Sequence, residues 1–241
     1  MTMADALSML SSWRDQAGIR DAGDELSFFN CCLANVVGSR AQLFQDVWIV
    51  YELKERRGGF FVEFGAADGV QRSNTCYLEK QFGWTGILAE PGRANYPALP
   101  RNRDCFIDRR CVWTKSGEEV VFNETELAHF STIDSFSESD HHAPKRKGGN
   151  RYAVETVSLN DLLSQWSAPR RIDYISIDTE GSELEIIKAF DFRKYDVRAI
   201  TIEHNHTANR EPIHKLLSEN GFVRKFEALS RWDDWYIKSY S

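Results

Sequence analysis

The N-terminal part of the chain is patterned as two amphipathic helices. Apolar residues recur about one helical turn apart at Leu7, Leu10 and Trp13, so these three side chains share one face. The same spacing recurs over residues 42–56 and stops at Gly58. Two helices are therefore predicted before the first strand.

Beyond Gly58 the pattern changes to short apolar runs that alternate with amphipathic segments. The runs that predict strands are GFFVEFG, GILAEP, DCFID, IDYISID and VRAITIEHN. Helices are predicted among them over residues 74–82, 159–166 and 183–190. Strands that alternate with helices indicate βαβ units, and hence an α/β fold with a doubly wound, mostly parallel sheet.

The C-terminal pattern differs from this alternation. A helix is predicted over residues 212–219, followed by the strands FVRKFEAL and DDWYIKSY, which a short polar link joins at Ser230 and Arg231. We expect this pair to extend the sheet as an antiparallel edge and to bring the total to seven strands. Trp232 and Trp235 of the pair are candidates for the lining of a substrate pocket.

A long polar insertion separates the third predicted strand from the helix at residues 159–166. Residues 123–150 contain no strong periodic pattern, and a compact domain usually keeps a stretch of this length for function. We interpret it as a substrate lid, in which the doublet His141-His142 is expected to be solvated.

Composition narrows the range of partners and the number of domains. The 241 residues suit one α/β domain, here divided into an N-terminal extension over residues 1–41 and a core over 42–241. A formal net charge of -6 argues against the broad basic face typical of nucleic-acid-binding proteins, and no segment resembles a membrane span. A small molecule or a carbohydrate is the expected partner, and the oligomeric state is left open.

Five cysteines are present, and none of them forms a C-x-x-C pair. This usage predicts free thiols in a cytoplasmic protein rather than a disulfide framework or a zinc site.

Acidic residues close three of the predicted strands. Glu63, Glu90 and Asp178 stand at or near the carboxyl ends of GFFVEFG, GILAEP and IDYISID. Ligands of doubly wound sheets bind at these ends, where a carboxylate accepts hydrogen bonds from ribose hydroxyls or from an amine.

The loop GAADG after the first strand argues for a cationic ligand. It lacks the Gly-Lys-Ser/Thr of a phosphate loop, and Ala67 replaces the second glycine of the dinucleotide fingerprint. Glu63 and Asp68 would repel a pyrophosphate, whereas they suit an amine or a sulfonium group. Glu90, at the end of the next strand, is placed to hold a ribose. Together these features indicate S-adenosylmethionine.

Several motifs resemble those of the FkbM-type methyltransferases. The resemblance runs from about residue 42 to residue 221 and rests on the segments FQDVW, GGFFVEFGAADGVQRSNTCYLEKQFGWTGILAEP, VSLNDLL, IDYISIDTEGSELEIIKAFDF and ITIEHN. It implies a class I, Rossmann-like methyltransferase with seven strands, of which the last is antiparallel. The cofactor-binding residues that it implies are Glu63, Gly65, Ala66, Asp68, Ser73, Asn74, Glu90, Asp108 and Asp178.

Methyl transfer to a hydroxyl needs a group that removes a proton or a metal that lowers the hydroxyl pKa. The candidate catalytic residues are Asp178, Glu180 and His204. Glu203 and His206 adjoin His204 in sequence, and Asp178 ends the neighbouring strand. A divalent metal held by Asp178, Glu203, His204 and His206 is therefore an alternative.

The function expected from the resemblance is S-adenosylmethionine-dependent O-methylation of a sugar, a glycan or a small natural product. Two alternatives stay open at this point. One is a non-catalytic binding protein that retains the fold, and the other is an NAD-dependent oxidoreductase, which the loop GAADG disfavours.

Overall fold

The computed structural model describes residues 3–17 and 23–239. The helices are α1 (Met3–Ala17), α2 (Gly23–Asn35), α3 (Gln45–Glu52), α4 (Cys76–Phe82), α5 (Leu99–Asn102), α6 (Ala143–Arg146), α7 (Leu159–Gln165), α8 (Glu183–Lys188), α9 (Arg210–Glu219) and α10 (Glu227–Ser230). The strands are β1 (Phe60–Phe64), β2 (Thr85–Ala89), β3 (Phe106–Asp108), β4 (Cys111–Trp113), β5 (Glu119–Glu124), β6 (Thr132–Ile133), β7 (Asn150–Ser158), β8 (Arg171–Ile177), β9 (Asp196–Glu203), β10 (Phe222–Lys225) and β11 (Asp233–Lys238). Among these residues, no helix has the length and apolar character needed to cross a membrane.

Seven strands form the main sheet, in the order β10-β11-β9-β8-β1-β2-β3. β11 is antiparallel to both of its neighbours, and the pairs from β9 to β3 are all parallel. The α/β, class I Rossmann-like prediction, with seven strands and an antiparallel last strand, is thus confirmed. Strand order reverses between β8 and β1, which is where sheets of this kind bind their ligands.

The C-terminal hairpin differs from its prediction in two respects. β11 inserts between β9 and β10, so the edge strand is β10, and it runs parallel to the rest of the sheet. The first predicted strand ends at Lys225, because Phe226 takes a left-handed φ of 50° and begins α10. The second strand ends at Lys238, and Tyr240 lies outside the described residues.

Alternating side chains of the central strands feed two apolar cores. On β1, Phe61 joins α2, α3 and α4 in one core, whereas Val62 and Phe64 join α7, α8 and α9 in the other. Because both faces of the sheet are covered, β1 is buried along its whole length. Glu63 lies on the face of Phe61, since side chains two residues apart on a strand share a face. This carboxylate is therefore buried under α4.

A second, four-stranded sheet that the sequence pattern did not predict surrounds the polar insertion: β4 and most of β5 precede residue 123, β6 lies within the insertion, and β7 begins at its last residue. Its order is β4-β7-β5-β6, with β5 antiparallel to β6 and to β7. Over residues 151–156 of β7, exposed positions such as Arg151 and Glu155 alternate with buried or half-buried ones such as Val154. That alternation is the signal by which the strand could have been found.

Helix α2 packs on the face of the main sheet that carries Phe61. Phe28 of α2 is fully buried, and its ring lies 5.0 Å from that of Phe226 and 5.8 Å from that of Trp235. The predicted apolar face of α1 is wrong at Leu7, which is 55% exposed, while the side chains of Leu10 and Trp13 lie outside the described residues. The division into an extension and a core at residue 42 stays a proposal.

Truncation of Phe28 tests whether α2 belongs to the same cooperative unit as the sheet. Phe28→Ala removes a buried ring between α2 and β11, so we expect the free energy of unfolding to fall by about 3 to 5 kcal/mol. Leu33→Ala on the same helix is the control, since Leu33 is 45% exposed, and we expect a loss below about 0.5 kcal/mol. Urea denaturation followed by circular dichroism measures both. Equal, small losses would show that residues 1–41 form a separate unit.

Candidate functional site

Four parallel strands end together at the point where strand order reverses. Phe64 pairs with Ala89 on one side and with Ile177 on the other, and Ile177 pairs with Ile202. The residues that follow these positions therefore meet at one edge of the sheet. They are Gly65, Glu90, Asp178 and Glu203.

Gly65 lies where β1 and β8 separate. Its φ of +71° is in the left-handed region, and a Cβ atom there would lie 2.0 Å from the carbonyl oxygen of Asp178. Both constraints require glycine. The absent side chain also leaves the Gly65 backbone exposed in the crevice.

The buried carboxylate of Glu63 holds the loop that precedes α4. Its Oε1 accepts a hydrogen bond from the backbone N–H of Asn74 at 2.7 Å, and Oε2 accepts from the hydroxyls of Ser73 and Thr75 at 2.9 and 2.5 Å. Arg103, which is itself buried, places Nη1 3.7 Å from the same Oε2. Glu63 thus fixes the loop around the crevice and is absent from the lining of the two cavities described below.

Glu90 holds the glycine loop from the neighbouring strand. Its Oε2 accepts from the backbone N–H of Ala67 at 2.8 Å and its Oε1 from that of Gly92 at 2.6 Å. Burial raises the pKa of Glu90 to about 7, although these hydrogen bonds oppose the shift. Each carboxylate oxygen has a second lone pair, so Glu90 retains the capacity to accept hydrogen bonds from a ligand.

Two further acids of the predicted cofactor set make internal contacts instead. The Oδ1 atom of Asp68 accepts from the backbone N–H groups of Val70 and Gln71 at 2.9 and 2.8 Å, which closes the turn after Ala67. Asp108 binds Arg110 and accepts from Trp166 Nε1 at 2.9 Å. Burial opposes ionisation of Asp108, but the hydrogen bonds from Arg110 outweigh it and lower its pKa.

The first cavity lies between the ends of β1 and β2 and the second sheet. Its wall is largely apolar, as suits a flat ring system, and Glu90 is at one side of it. The apolar lining residues are Phe64, Ala89, Pro91, Cys111, Val112, Phe122, Ala128 and Ile133. The second sheet therefore completes a pocket that the main sheet begins.

The second cavity, of about 340 Å³, opens beside the first and is polar. Gly65, His129, Asp178 and Glu180 line both cavities, so the two spaces meet at these residues. The other charged, histidine or aromatic residues that line the second cavity are Arg72, Phe130, His141, His142, Lys145, Glu203, His206 and Trp232. Ala66 and Ser73 also line it.

Asp178 and Glu203 form a close pair of acids. Burial, followed by the nearby Glu180 carboxylate, raises the pKa of Asp178 well above its ordinary value. Burial and the Asp178 carboxylate raise the pKa of Glu203 in the same way. Glu203 Oε2 is buried and has no hydrogen-bond partner among the described residues.

Glu180 fastens the insertion to the end of β8. Its Oε2 accepts from Arg146 Nη2 at 2.5 Å and lies 3.2 Å from His142 Nδ1. Thr132 of β6 donates to the carbonyl oxygens of Thr179 and Glu180 at 3.1 and 3.0 Å. The insertion thus covers the second cavity, and His142, expected to be solvated, is half-buried against Glu180.

The loop that carries Asp178 and Glu180 is closed by the helix after it. Glu183, at the start of α8, accepts through Oε1 from the backbone N–H groups of Thr179 and Gly181 at 3.0 and 2.9 Å. An acid in the first turn of a helix satisfies donors that would otherwise be unpaired. This explains why the segment DTEGSE turns directly from strand to helix.

The remaining predicted residues are placed as follows. The Nδ1 of His204 accepts from the backbone N–H of His206 at 3.0 Å, and its Nε2 lies 3.7 Å from Asp234, so the ring faces away from the second cavity. His206 is exposed and lines that cavity. Asn74 Nδ2 donates to Ser176 at 2.9 Å. Trp232 lines the second cavity, whereas Trp235 is buried in the core.

This arrangement matches a known family. The model of the methyltransferase FkbM domain matches residues 63–232. The chain belongs to the FkbM methyltransferase family. The match includes Glu63, Glu90, Asp178 and Glu203, and it ends at Trp232, at the second cavity.

One curated relative of this FkbM-family chain is hexuronic acid methyltransferase AglP of Haloferax volcanii. The two are 23% identical over 152 residues, which is 61% of this chain and 59% of the relative. The aligned region thus spans less than two thirds of that protein.

Two solved structures are also similar in outline. Precorrin-6y C5,15-methyltransferase of Geobacter metallireducens has a TM-score of 0.42 at 10% identity, over 80% of this chain and 85% of that one. The N-terminal domain of human METTL16 has a TM-score of 0.44 at 11% identity, over 80% and 68%. The fold assignment stands on the strand order.

Several residues around the second cavity were not found from the sequence. Arg72 lies in a loop and His129 in a three-residue helical turn, where no periodicity shows which side chains converge. Arg146 is fully buried between Asp140 and Glu180, which no local pattern indicates. Only the folded insertion brings these groups together.

Replacement of Gly65 tests the requirement for a bare backbone in the crevice. In Gly65→Ala the new Cβ meets the Asp178 carbonyl in a left-handed conformation, so we expect a loss of about 2 to 5 kcal/mol in stability. We also expect loss of S-adenosylhomocysteine binding in calorimetry. Gly58→Ala is matched, since Gly58 has a φ of +64° and nothing within 4 Å, and should lose only about 1 kcal/mol. Normal binding of S-adenosylhomocysteine by Gly65→Ala would contradict the assignment of Gly65 to the cofactor-binding crevice.

Proposed function

We propose that this FkbM-family chain is an S-adenosylmethionine-dependent methyltransferase that methylates a hydroxyl group of an acidic sugar. The observation that carries the proposal is the junction of the two cavities at Gly65, Asp178 and Glu180. A donor in the apolar cavity and an acceptor in the polar one would meet there. The family match supports the methyl donor.

The residues of the first cavity fit S-adenosylmethionine. The bare Gly65 backbone allows close approach, and Glu90 offers acceptor lone pairs for the ribose hydroxyls. The apolar wall of Phe64, Pro91 and Val112 suits the adenine ring. The acids of the crevice favour a sulfonium cation and disfavour the pyrophosphate of NAD. Asp108, which binds Arg110 and Trp166, has no part in this arrangement.

When bound, the cofactor would supply an electrophilic methyl group: the acceptor oxygen would bond the methyl carbon, the sulfur would keep the electrons of the bond that breaks, and the hydroxyl proton would pass to water or to the Asp178 carboxylate. The chain must align the acceptor hydroxyl with that carbon. Asp178 lies at the junction of the cavities, so we assign it the orientation of the hydroxyl. Glu180 holds the insertion over the acceptor, and His204, turned toward Asp234, is not assigned a role as base.

The polar cavity suits an acceptor that carries a carboxylate. Lys145 and Arg72 are exposed on its lining, and Lys145 Nζ lies 3.8 Å from the centre of the Phe130 ring. Burial, and then the positive charges of Arg72 and Lys145, lower the pKa of His129 to about 4. This part of the cavity is thus electropositive. The name of the relative, a hexuronic acid methyltransferase, supports the same class of acceptor.

The test of function is methyl transfer by the purified chain to a panel of sugars. Labelled S-adenosylmethionine is incubated with glycosides of glucuronic and galacturonic acid and with the matching neutral glucoside and galactoside. We expect a methyl ether on a hydroxyl of an acidic sugar, identified by mass spectrometry. Transfer to a carboxylate, a nitrogen or a carbon would overturn the acceptor assignment. Cofactor binding without transfer to any acceptor would favour a non-catalytic binding protein.

Removal of Lys145 tests recognition of the acceptor carboxylate. Lys145→Ala should raise the KM for an acidic glycoside by about tenfold, because a hydrogen bond to a charged group contributes about 1.5 to 3 kcal/mol. The KM for the neutral glycoside should change little. Lys147→Ala is the control, since Lys147 is exposed and is not part of the lining. Equal effects of the two variants would exclude a role for Lys145 in recognition.

The raised pKa of Glu90 makes cofactor affinity depend on pH. With a pKa of about 7 the carboxyl group is mostly protonated at pH 6 and mostly ionised at pH 8. The ionised form is the stronger acceptor for ribose hydroxyls, so the Kd for S-adenosylhomocysteine should fall by about five- to tenfold over this range. Calorimetry at both pH values measures this change. Glu90→Gln should bind weakly and without the pH dependence, and a flat profile for the unaltered chain would disprove the ribose assignment.

A further inference from the structure

Three carboxylates meet at the ends of β8 and β9. Asp178, Glu180 and Glu203 each present an oxygen, and these oxygens lie within 4.8 Å of one another. We propose that they bind one divalent cation of the hard class, Mg²⁺ or Mn²⁺. Such ions prefer carboxylate oxygens, and this spacing is close enough for one ion to contact all three.

The unpartnered oxygen of Glu203 points to a ligand. Glu203 is only 6% exposed, it lines the second cavity, and its Oε2 atom has no hydrogen-bond partner among the described residues. A buried carboxylate oxygen without a hydrogen-bond partner is costly, and structures rarely retain one without a reason. A cation between Glu203 and Asp178 would satisfy this oxygen.

The positively charged side chain that contacts this group of carboxylates, through Glu180, is that of Arg146, and its guanidinium group already has partners. Arg146 is fully buried, and its guanidinium group binds both oxygens of Asp140 as well as Oε2 of Glu180. Asp178 and Glu203 thus share no such contact with Arg146 in the described structure. The neighbouring triad of Asp140, His142 and Glu180 is also spaced for a metal, but Arg146 occupies it. Within this cluster, Asp178 and Glu203 are therefore the two acids that Arg146 does not pair with.

This donor set differs from the one predicted from the sequence. His204 is excluded, because its Nδ1 accepts a backbone hydrogen bond and its Nε2 faces Asp234. Glu180 replaces the two histidines. The carboxamide of Asn205 adjoins the group, with Nδ2 3.4 Å from Glu180 Oε2. The open side of the cluster is the second cavity, which leaves room for water or an acceptor hydroxyl.

A cation at this position would act on the acceptor directly. A hydroxyl bound to it has a lower pKa, so its proton leaves more readily as the oxygen attacks the methyl carbon. The catalytic half of the inference rests on the proposed function. The binding half does not, since the three carboxylates and the unpartnered oxygen are present without either substrate.

The experiment measures Mn²⁺ binding to the whole chain without methyl donor. After treatment with a chelator, Mn²⁺ is titrated and free Mn²⁺ is followed by electron paramagnetic resonance. We expect one Mn²⁺ per chain. Glu203→Gln, which keeps the shape of the side chain and removes its charge, should weaken binding by about tenfold or more. Mg²⁺ should compete for the same site.

A matched variant separates the metal site from the cofactor site. Glu90→Gln should keep Mn²⁺ affinity and lose S-adenosylhomocysteine affinity, whereas Glu203→Gln should do the reverse. If Glu203→Gln does not fold, as judged by circular dichroism, Asp178→Asn takes its place in the Mn²⁺ titration only, because Asp178 also lines the cofactor cavity. Absence of stoichiometric Mn²⁺ binding, or equal affinity in the carboxamide variant, overturns the inference. If Mn²⁺ binds the unaltered chain and is lost in Glu203→Gln, but the unaltered chain transfers no methyl group to any acceptor, the metal site is supported and the proposed function is disproved.

Discussion

Buried carboxylates that accept backbone hydrogen bonds hold the ligand-binding end of this sheet in shape. Glu63 fixes the loop before α4 through the N–H of Asn74, and Glu90 fixes the loop after β1 through the N–H of Ala67. Burial of a carboxyl group is costly, and it is tolerated here because each oxygen accepts a hydrogen bond and because the Arg103 guanidinium lies beside Glu63. These hydrogen bonds fix the positions of the two loops that border the crevice.

The acids of this region differ in how much hydrogen-bonding capacity they retain for a ligand. Three hydrogen bonds from the loop hold Glu63, and its side chain lines neither cavity. Glu90 binds two backbone groups and has lone pairs to spare, whereas Glu203 retains an oxygen with no described partner. A carboxylate oxygen is more available to a ligand where fewer of the protein's own hydrogen-bond donors reach it. Ligand chemistry becomes possible where the fold stops satisfying its own carboxylates.

The insertion determines what the crevice can accept. The second sheet, to which the insertion contributes β6, completes the apolar wall of the first cavity, and the later part of the insertion brings Lys145 and His142 over the second. Arg146 and Thr132 fasten it to the loop of Asp178 by hydrogen bonds to Glu180 and Thr179. A shift of this segment would therefore be felt at the end of β8, where donor and acceptor are proposed to meet.

The sequence by itself determined the seven-stranded α/β sheet, its antiparallel last strand and the acids at strand ends, because strand period and chain order are local properties. It did not reveal the second sheet, the burial of Arg146 or the direction of the His204 ring. Those depend on partners distant in the chain, such as Glu180 for Arg146 and Asp234 for His204. Local pattern places a residue on a strand or in a loop, but only tertiary packing decides which polar atoms find partners and which are left for a ligand.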